Sequence, residues 1–223
     1  MNDFQRAVAR PAGSAIEINK VLRNTYALLS MTLVFSAIMA AVSMAMNVPP
    51  GASLLSSLAA IGLLWFVVPR FANSAAGIGL VFLTTGLLGF GLGPILSMYL
   101  AMPNGPGVVM TAMGGTGAIF LGLSGYVLVT KKELSFMGGM LVTGIIAAFV
   151  LGIVAMLFSM PMLSLAVSGI FVLLMSGMIM YQTSAIIHGG ETNYIMATIG
   201  LYVAIYNLFT SLLHILAAFS GND

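Results

Sequence analysis

Three groups of residues have the side chains that nucleophilic catalysis, metal binding or ion passage would need. Gly122-Leu123-Ser124-Gly125 sets a serine between glycines, and a serine nucleophile requires a histidine at its side to take the proton. The two histidines are His188 and His214. At ~1.5 Å of rise per residue, the helices that would carry Ser124 and His214 place them about 20 Å apart in depth. His188 falls at a loop boundary. Intramembrane proteolysis is therefore not expected, and Ser124 reads better as a small residue at a helix contact. His188 and Glu191 stand three residues apart across Gly189-Gly190, but no second pair joins them as a zinc or di-iron site would require, and no metal or other cofactor is expected. The segment His188-Gly189-Gly190-Glu191-Thr192-Asn193 reads instead as a polar loop closing two helix ends. The third group is Gln182, Tyr202, Tyr206, Asn207 and His214. They suit either a hydrogen-bonded helix interface or a water-filled route. The five acids, Asp3, Glu17, Glu133, Glu191 and Asp223, all lie outside the apolar runs, so no buried anion awaits a cation.

The elements that must position these groups follow from composition. Of 223 residues, 60% are hydrophobic and 5% charged, with mean hydropathy +1.12. A soluble domain of this length cannot cover its surface with so little charge, so the chain is expected to be an integral membrane protein. A formal charge of +2 gives no reason to expect nucleic acid. There are no cysteines, which excludes disulfides and thiol chemistry. The 18 methionines read as gap-fillers in an apolar interior.

Hydropathy predicts an all-α, seven-helix bundle spanning the membrane, with helices at about Thr25–Met46, Ala52–Val68, Ala75–Leu100, Val108–Val129, Ser135–Phe158, Leu163–Ile187 and Tyr194–Phe219. The breaks carry turn chemistry: Asn47-Val48-Pro49-Pro50-Gly51, Pro103-Asn104-Gly105-Pro106-Gly107, Pro161 and Gly189-Gly190. Residues 1–24 form a hydrophilic tail carrying Asp3, Arg6, Arg10, Glu17, Lys20 and Arg23, in which Ser14 is suited to cap a short helix with Glu17 facing Lys20. Residues 25–219 form the membrane domain, and residues 220–223 a short C-terminus. All seven basic residues fall in the tail or in the loops after the second and fourth spans, at Arg70, Lys131 and Lys132. The positive-inside rule then puts the tail in the cytoplasm and the C-terminus in the periplasm.

Two features concern packing. The third and fourth spans are rich in glycine, which permits close backbone approach, and Pro94 interrupts the third, either as a kink or as a hinge. In the last span Thr198, Tyr202, Tyr206, Thr210 and His214 recur at i, i+4 and make one polar face. Lipid offers that face no partners, so the last helix is expected near the centre of the bundle.

Several motifs resemble the bacterial YccA branch of the transmembrane Bax-inhibitor-motif family. They are Lys20-Val21-Leu22-Arg23-Asn24-Thr25-Tyr26, Leu92-Gly93-Pro94-Ile95-Leu96 and Ser135-Phe136-Met137-Gly138-Gly139-Met140-Leu141. The most specific is His188-Gly189-Gly190-Glu191-Thr192-Asn193-Tyr194-Ile195, followed by Leu201-Tyr202-Val203 and Tyr206-Asn207. The resemblance runs from about Lys20 to Leu216. It implies a non-enzymatic, multi-pass protein of the bacterial inner membrane that binds the ATP-dependent protease FtsH through the cytoplasmic tail and restrains its degradation of membrane proteins. Beyond FtsH and the bilayer, a homo-oligomer stays open as a partner. The wider family includes calcium-leak channels with a pair of aspartates on the last two helices. The corresponding positions here are Gln182 and Ala204, neither of which titrates, and this disfavours a cation leak or a small-solute transporter as the alternative.

Overall fold

The computed structural model describes residues 15–220, and within them every regular element is a helix. Seven helices are long and apolar enough to cross a membrane. They are α1 (Ala15–Ala45), α2 (Pro50–Phe71), α3 (Ala75–Leu100), α4 (Gly105–Thr130), α5 (Met137–Leu157), α6 (Pro161–Ile187) and α7 (Tyr194–Ser220). Asp3, Arg6, Arg10, the Ser14 cap and the last three residues lie outside the described residues. From Ala15 onward the expected short helix and the first span are a single helix, since nothing between Ile16 and Thr25 breaks one. The boundary drawn at residue 24 therefore falls inside α1.

Local chemistry sets the helix ends. Pro50 and Pro161 open α2 and α6, where a missing N–H costs no helical bond. Left-handed residues close four helices: Asn47 (φ 49°), Lys131 (φ 51°), Ser159 (φ 49°) and Gly189 (φ 73°). After α6 the Gly189 N–H reaches the Ile186 carbonyl at 3.2 Å and the Gly190 N–H reaches that of Ala185 at 2.8 Å. This pair of bonds is the Schellman motif, and glycine meets its left-handed requirement without strain. The same two-bond pattern closes α1 at Asn47 and α5 at Ser159. One element was not anticipated: α2 widens into a π-helical turn over Leu63–Val67 before its last turn, Val68–Phe71. Pro69 lies just beyond, lacks an N–H and crowds the carbonyl four residues back, a local reason for the register to slip.

α3 and α7 hold the largest shares of buried residues and sit at the centre. α7 packs on α1, α3, α4 and α6, and α3 packs on α1, α2, α4 and α7. α5 packs on α6. The largest core cluster joins Leu29 of α1, Leu88 of α3, Met175 and Ile179 of α6, and Leu201, Tyr202 and Leu208 of α7. The glycines of α3 explain its closeness to α1. A methyl group at Gly89 would strike the Ser36 carbonyl, one at Gly93 the Ser43 side chain, and one at Gly86 the Phe35 ring. Gly91 faces the other way, against Ser57 and the Ser53 carbonyl of α2. The glycines of α4 differ: Gly114, Gly117, Gly122 and Gly125 have open space where a side chain would stand. Tight packing holds for the first glycine-rich helix and not for these positions of the second.

Candidate functional site

Polar side chains gather at one end of the bundle, where the α2–α3, α4–α5 and α6–α7 connections meet the start of α1. Asn193 is the hub. Its Oδ1 accepts from the backbone N–H groups of Ile195 (2.9 Å) and Met196 (3.2 Å), capping α7. Its Nδ2 donates to the Ala72 carbonyl at 3.0 Å and to Asn73 Oδ1 at 2.8 Å, tying α7 to the α2–α3 turn. Glu191 accepts the Asn193 N–H at 2.8 Å. Ser184, near the end of α6, donates to the Lys132 carbonyl at 2.9 Å and accepts from the Leu134 N–H at 3.0 Å, which fixes the α4–α5 connection. His188 donates through Nδ1 to the Ser184 carbonyl at 2.9 Å. Among the described residues no group of three or more His, Cys, Asp or Glu side chains comes together as a metal site would need. Lys20, Arg23, Arg70, Lys131 and Lys132 are exposed. Their segments — the start of α1, the end of α2 and the α4–α5 connection — are those that converge on this end.

The polar face of α7 runs inward from there. Thr198 and Tyr202 are buried, whereas Tyr206, Thr210 and His214 are half-buried. Thr198 donates to the Tyr194 carbonyl at 2.7 Å and lies 3.3 Å from that of Thr25. Tyr202, 2% exposed, donates to the Thr85 carbonyl at 3.2 Å and accepts from Ser36 at 2.5 Å, so one hydroxyl joins α1, α3 and α7. Its ring stacks on Tyr206 at 6.2 Å between centroids. Asn207 and Thr210 turn back on their own helix, bonding the Val203 and Tyr206 carbonyls at 2.8 and 3.1 Å. The sequence pattern marks this face but not Ser36 or Thr85, whose hydroxyl and carbonyl complete it.

Neither histidine meets Ser124. Ser124 bonds to the Tyr26 hydroxyl and to Thr183 Oγ1 at 3.1 Å, a hydroxyl cluster that pins α1 to α4 and α6. His214 pairs instead with Ser168, Nδ1 to Oγ 2.8 Å. Ser168 also reaches the Ser164 carbonyl at 3.1 Å, so the histidine ties α7 to α6.

Gln182 borders a cavity of about 210 Å³ between α6 and α7, shared with Tyr181, Glu191, Met196 and Gly200. Its Oε1 is buried without a hydrogen-bond partner. The amide presses on Gly200, where a methyl group would come within 2.6 Å of Nε2. Ala204, one helical turn further along α7, is buried and apolar.

The sequence profile of the family described as inhibitor of apoptosis-promoting Bax1 matches residues 18–221. A Vibrio cholerae protein described only as an uncharacterised membrane protein is 50% identical over 93% of both chains. An uncharacterised Pseudomonas aeruginosa protein is 48% identical, again over 93% of both. The Escherichia coli K12 protein named modulator of FtsH protease YccA is 48% identical over 94% of both chains, and its counterpart in another E. coli strain is named inner membrane protein YccA. With seven apolar helices, a match along nearly its whole length and relatives of the inner membrane, this chain is a multi-pass protein of the bacterial inner membrane and belongs to the Bax-inhibitor family.

Proposed function

We propose that this chain associates with the FtsH protease complex and, without catalysis of its own, restrains the degradation of membrane-protein substrates. The observation that carries the reading is near-half identity, end to end, to the protein named modulator of FtsH protease. The fold suits the role. Tyr202, the Tyr26–Ser124–Thr183 cluster and the α3 glycines lock α1 into the bundle at several depths. A protease that engages the N-terminal tail, with Asp3, Arg6, Arg10, Glu17, Lys20 and Arg23, would pull on a helix held along its length. It would then be occupied by a substrate it extracts slowly. This reading places the tail in the cytoplasm and the C-terminus in the periplasm, in keeping with the basic end of the bundle.

The test compares the half-life of an FtsH substrate in cells carrying the full chain, a form lacking residues 1–14, or no copy. Residue 14 is the cut to use, because α1 begins at Ala15. Prolonged substrate life with the full chain, altered by the deletion, supports the reading. No change with either form refutes it.

One observation favours a second reading, a cation or small-solute leak: the buried, unpaired Gln182 oxygen beside the cavity between α6 and α7. Ion flux through liposomes containing the purified protein, changed by Gln182→Leu or Asn207→Leu, would support it. Flux equal to that of empty liposomes would remove it.

A further inference from the structure

Not all the methionines fill gaps in the interior. Of the nine exposed ones among the described residues, only Met140 lies at the basic end, whereas Met46, Met98, Met156, Met160 and Met162 lie at or beside the opposite end. Three of these share one turn, in the run Met156-Leu157-Phe158-Ser159-Met160-Pro161-Met162 that joins α5 to α6. They are 72%, 47% and 82% exposed, so core packing does not account for them. The chain reverses here through two bonds, from the Ser159 N–H to the Met156 carbonyl at 3.3 Å and from the Met160 N–H to the Ala155 carbonyl at 2.8 Å. This closure folds Met160 back beside the last turn of α5, which carries Met156. Met162 follows at the second position of α6. Long, unbranched and freely rotating thioether side chains thus leave the backbone together at one turn. Among the described residues the three connections at this end, α1–α2, α3–α4 and α5–α6, hold no charged side chain, so a hard divalent cation finds no carboxylate there.

We propose that Met156, Met160 and Met162 bind one copper(I) ion through their three sulfur atoms. Thioethers are soft, neutral donors and select copper(I). Calcium and magnesium take oxygen ligands, and zinc takes thiolate, imidazole or carboxylate, none of which this turn offers from its side chains. Neutral ligands leave the single charge of the ion unbalanced, which an exposed turn at the end of two spanning helices tolerates and a buried site would not. Leu157 and Phe158, both exposed, already give the turn its contact with lipid, so an apolar turn by itself calls for no sulfur. The proposed orientation sets the site on the periplasmic side. It does not rest on the protease reading.

The test titrates the purified full chain in detergent with copper(I), under ascorbate and without oxygen, against the chromogenic chelator bicinchoninate. One copper(I) per chain is expected, with only sulfur around the metal in X-ray absorption of the chelator-free complex. Met156→Leu, Met160→Leu and Met162→Leu keep size and apolarity at exposed positions, so the fold should hold, as thermal unfolding would verify. Each should weaken binding at least about tenfold, the loss that even a change outside the ligand shell gives. The triple variant should lose the ion. Met98→Leu and Met110→Leu, at exposed methionines of other helices, should bind as the parent does. Binding no greater than that of empty detergent micelles, or a triple variant that keeps its copper, would overturn the proposal. So would nitrogen in the metal's shell, which would give the ion to His188 or His214, equal weakening by Met98→Leu, or displacement of copper(I) by zinc(II).

Discussion

Tyr202 joins three helices through one hydroxyl, at a depth where water cannot replace a lost bond. Tyr202→Phe should lower stability by about 1 kcal/mol, read as a fall in the unfolding midpoint in detergent. Adding Ser36→Ala should cost less than the sum of the two single changes, because Ser36 loses its partner either way. Asn193→Ala removes a helix cap and a tie between two turns, and should cost at least about 1 kcal/mol by the same measurement. The i, i+4 spacing in α7 was enough to say that Tyr202 faces protein. It could not say which protein. Ser36 and the Thr85 carbonyl lie on helices more than a hundred residues away in sequence, and spacing within one helix carries no information about the face another helix turns toward it. Ser124 shows the converse. Its flanking glycines suggest chemistry, yet its neighbours are the hydroxyls of Tyr26 and Thr183, which local sequence gives no means to identify.

Among the helices, α3 and α4 look alike in composition and behave differently. Gly89→Ala puts a methyl group into the Ser36 carbonyl, a backbone atom that cannot rotate away, and should destabilise by roughly 1–3 kcal/mol. Gly122→Ala enters open space and should stay within about 0.5 kcal/mol of the parent. Paired thermal melts of the two variants check both. Glycine count alone does not separate the two cases, because it records the capacity for close approach and not whether a neighbour has used it. Helix ends were more legible than helix contacts. Pro50, Pro161 and Gly189 act through their own backbones, so their effect is local and readable. The π-helical turn before Pro69 was not legible, since proline near a helix end usually signals termination, and here packing carries α2 on to Phe71.

At the scale of the whole molecule, the bundle has one basic end, and the proposed orientation turns that end toward the cytoplasm. The natural absence of cysteine makes this easy to check. A single cysteine at exposed Thr192 should react with an impermeant thiol reagent only from the cytoplasmic side, and one at exposed Ser159 only from the periplasmic side. The reverse pattern would invert the topology and with it the proposed engagement of the tail. The continuity of α1 from Ala15 to Ala45 has a mechanical consequence. A motor hauling on the N-terminus does not peel the structure open one contact at a time. It loads a stiff rod lengthwise, so the fittings at Tyr26, Phe35, Ser36 and Ser43 bear the tension in parallel. Such a joint resists in shear, and the same bundle gripped from a loop would tear as a zipper does.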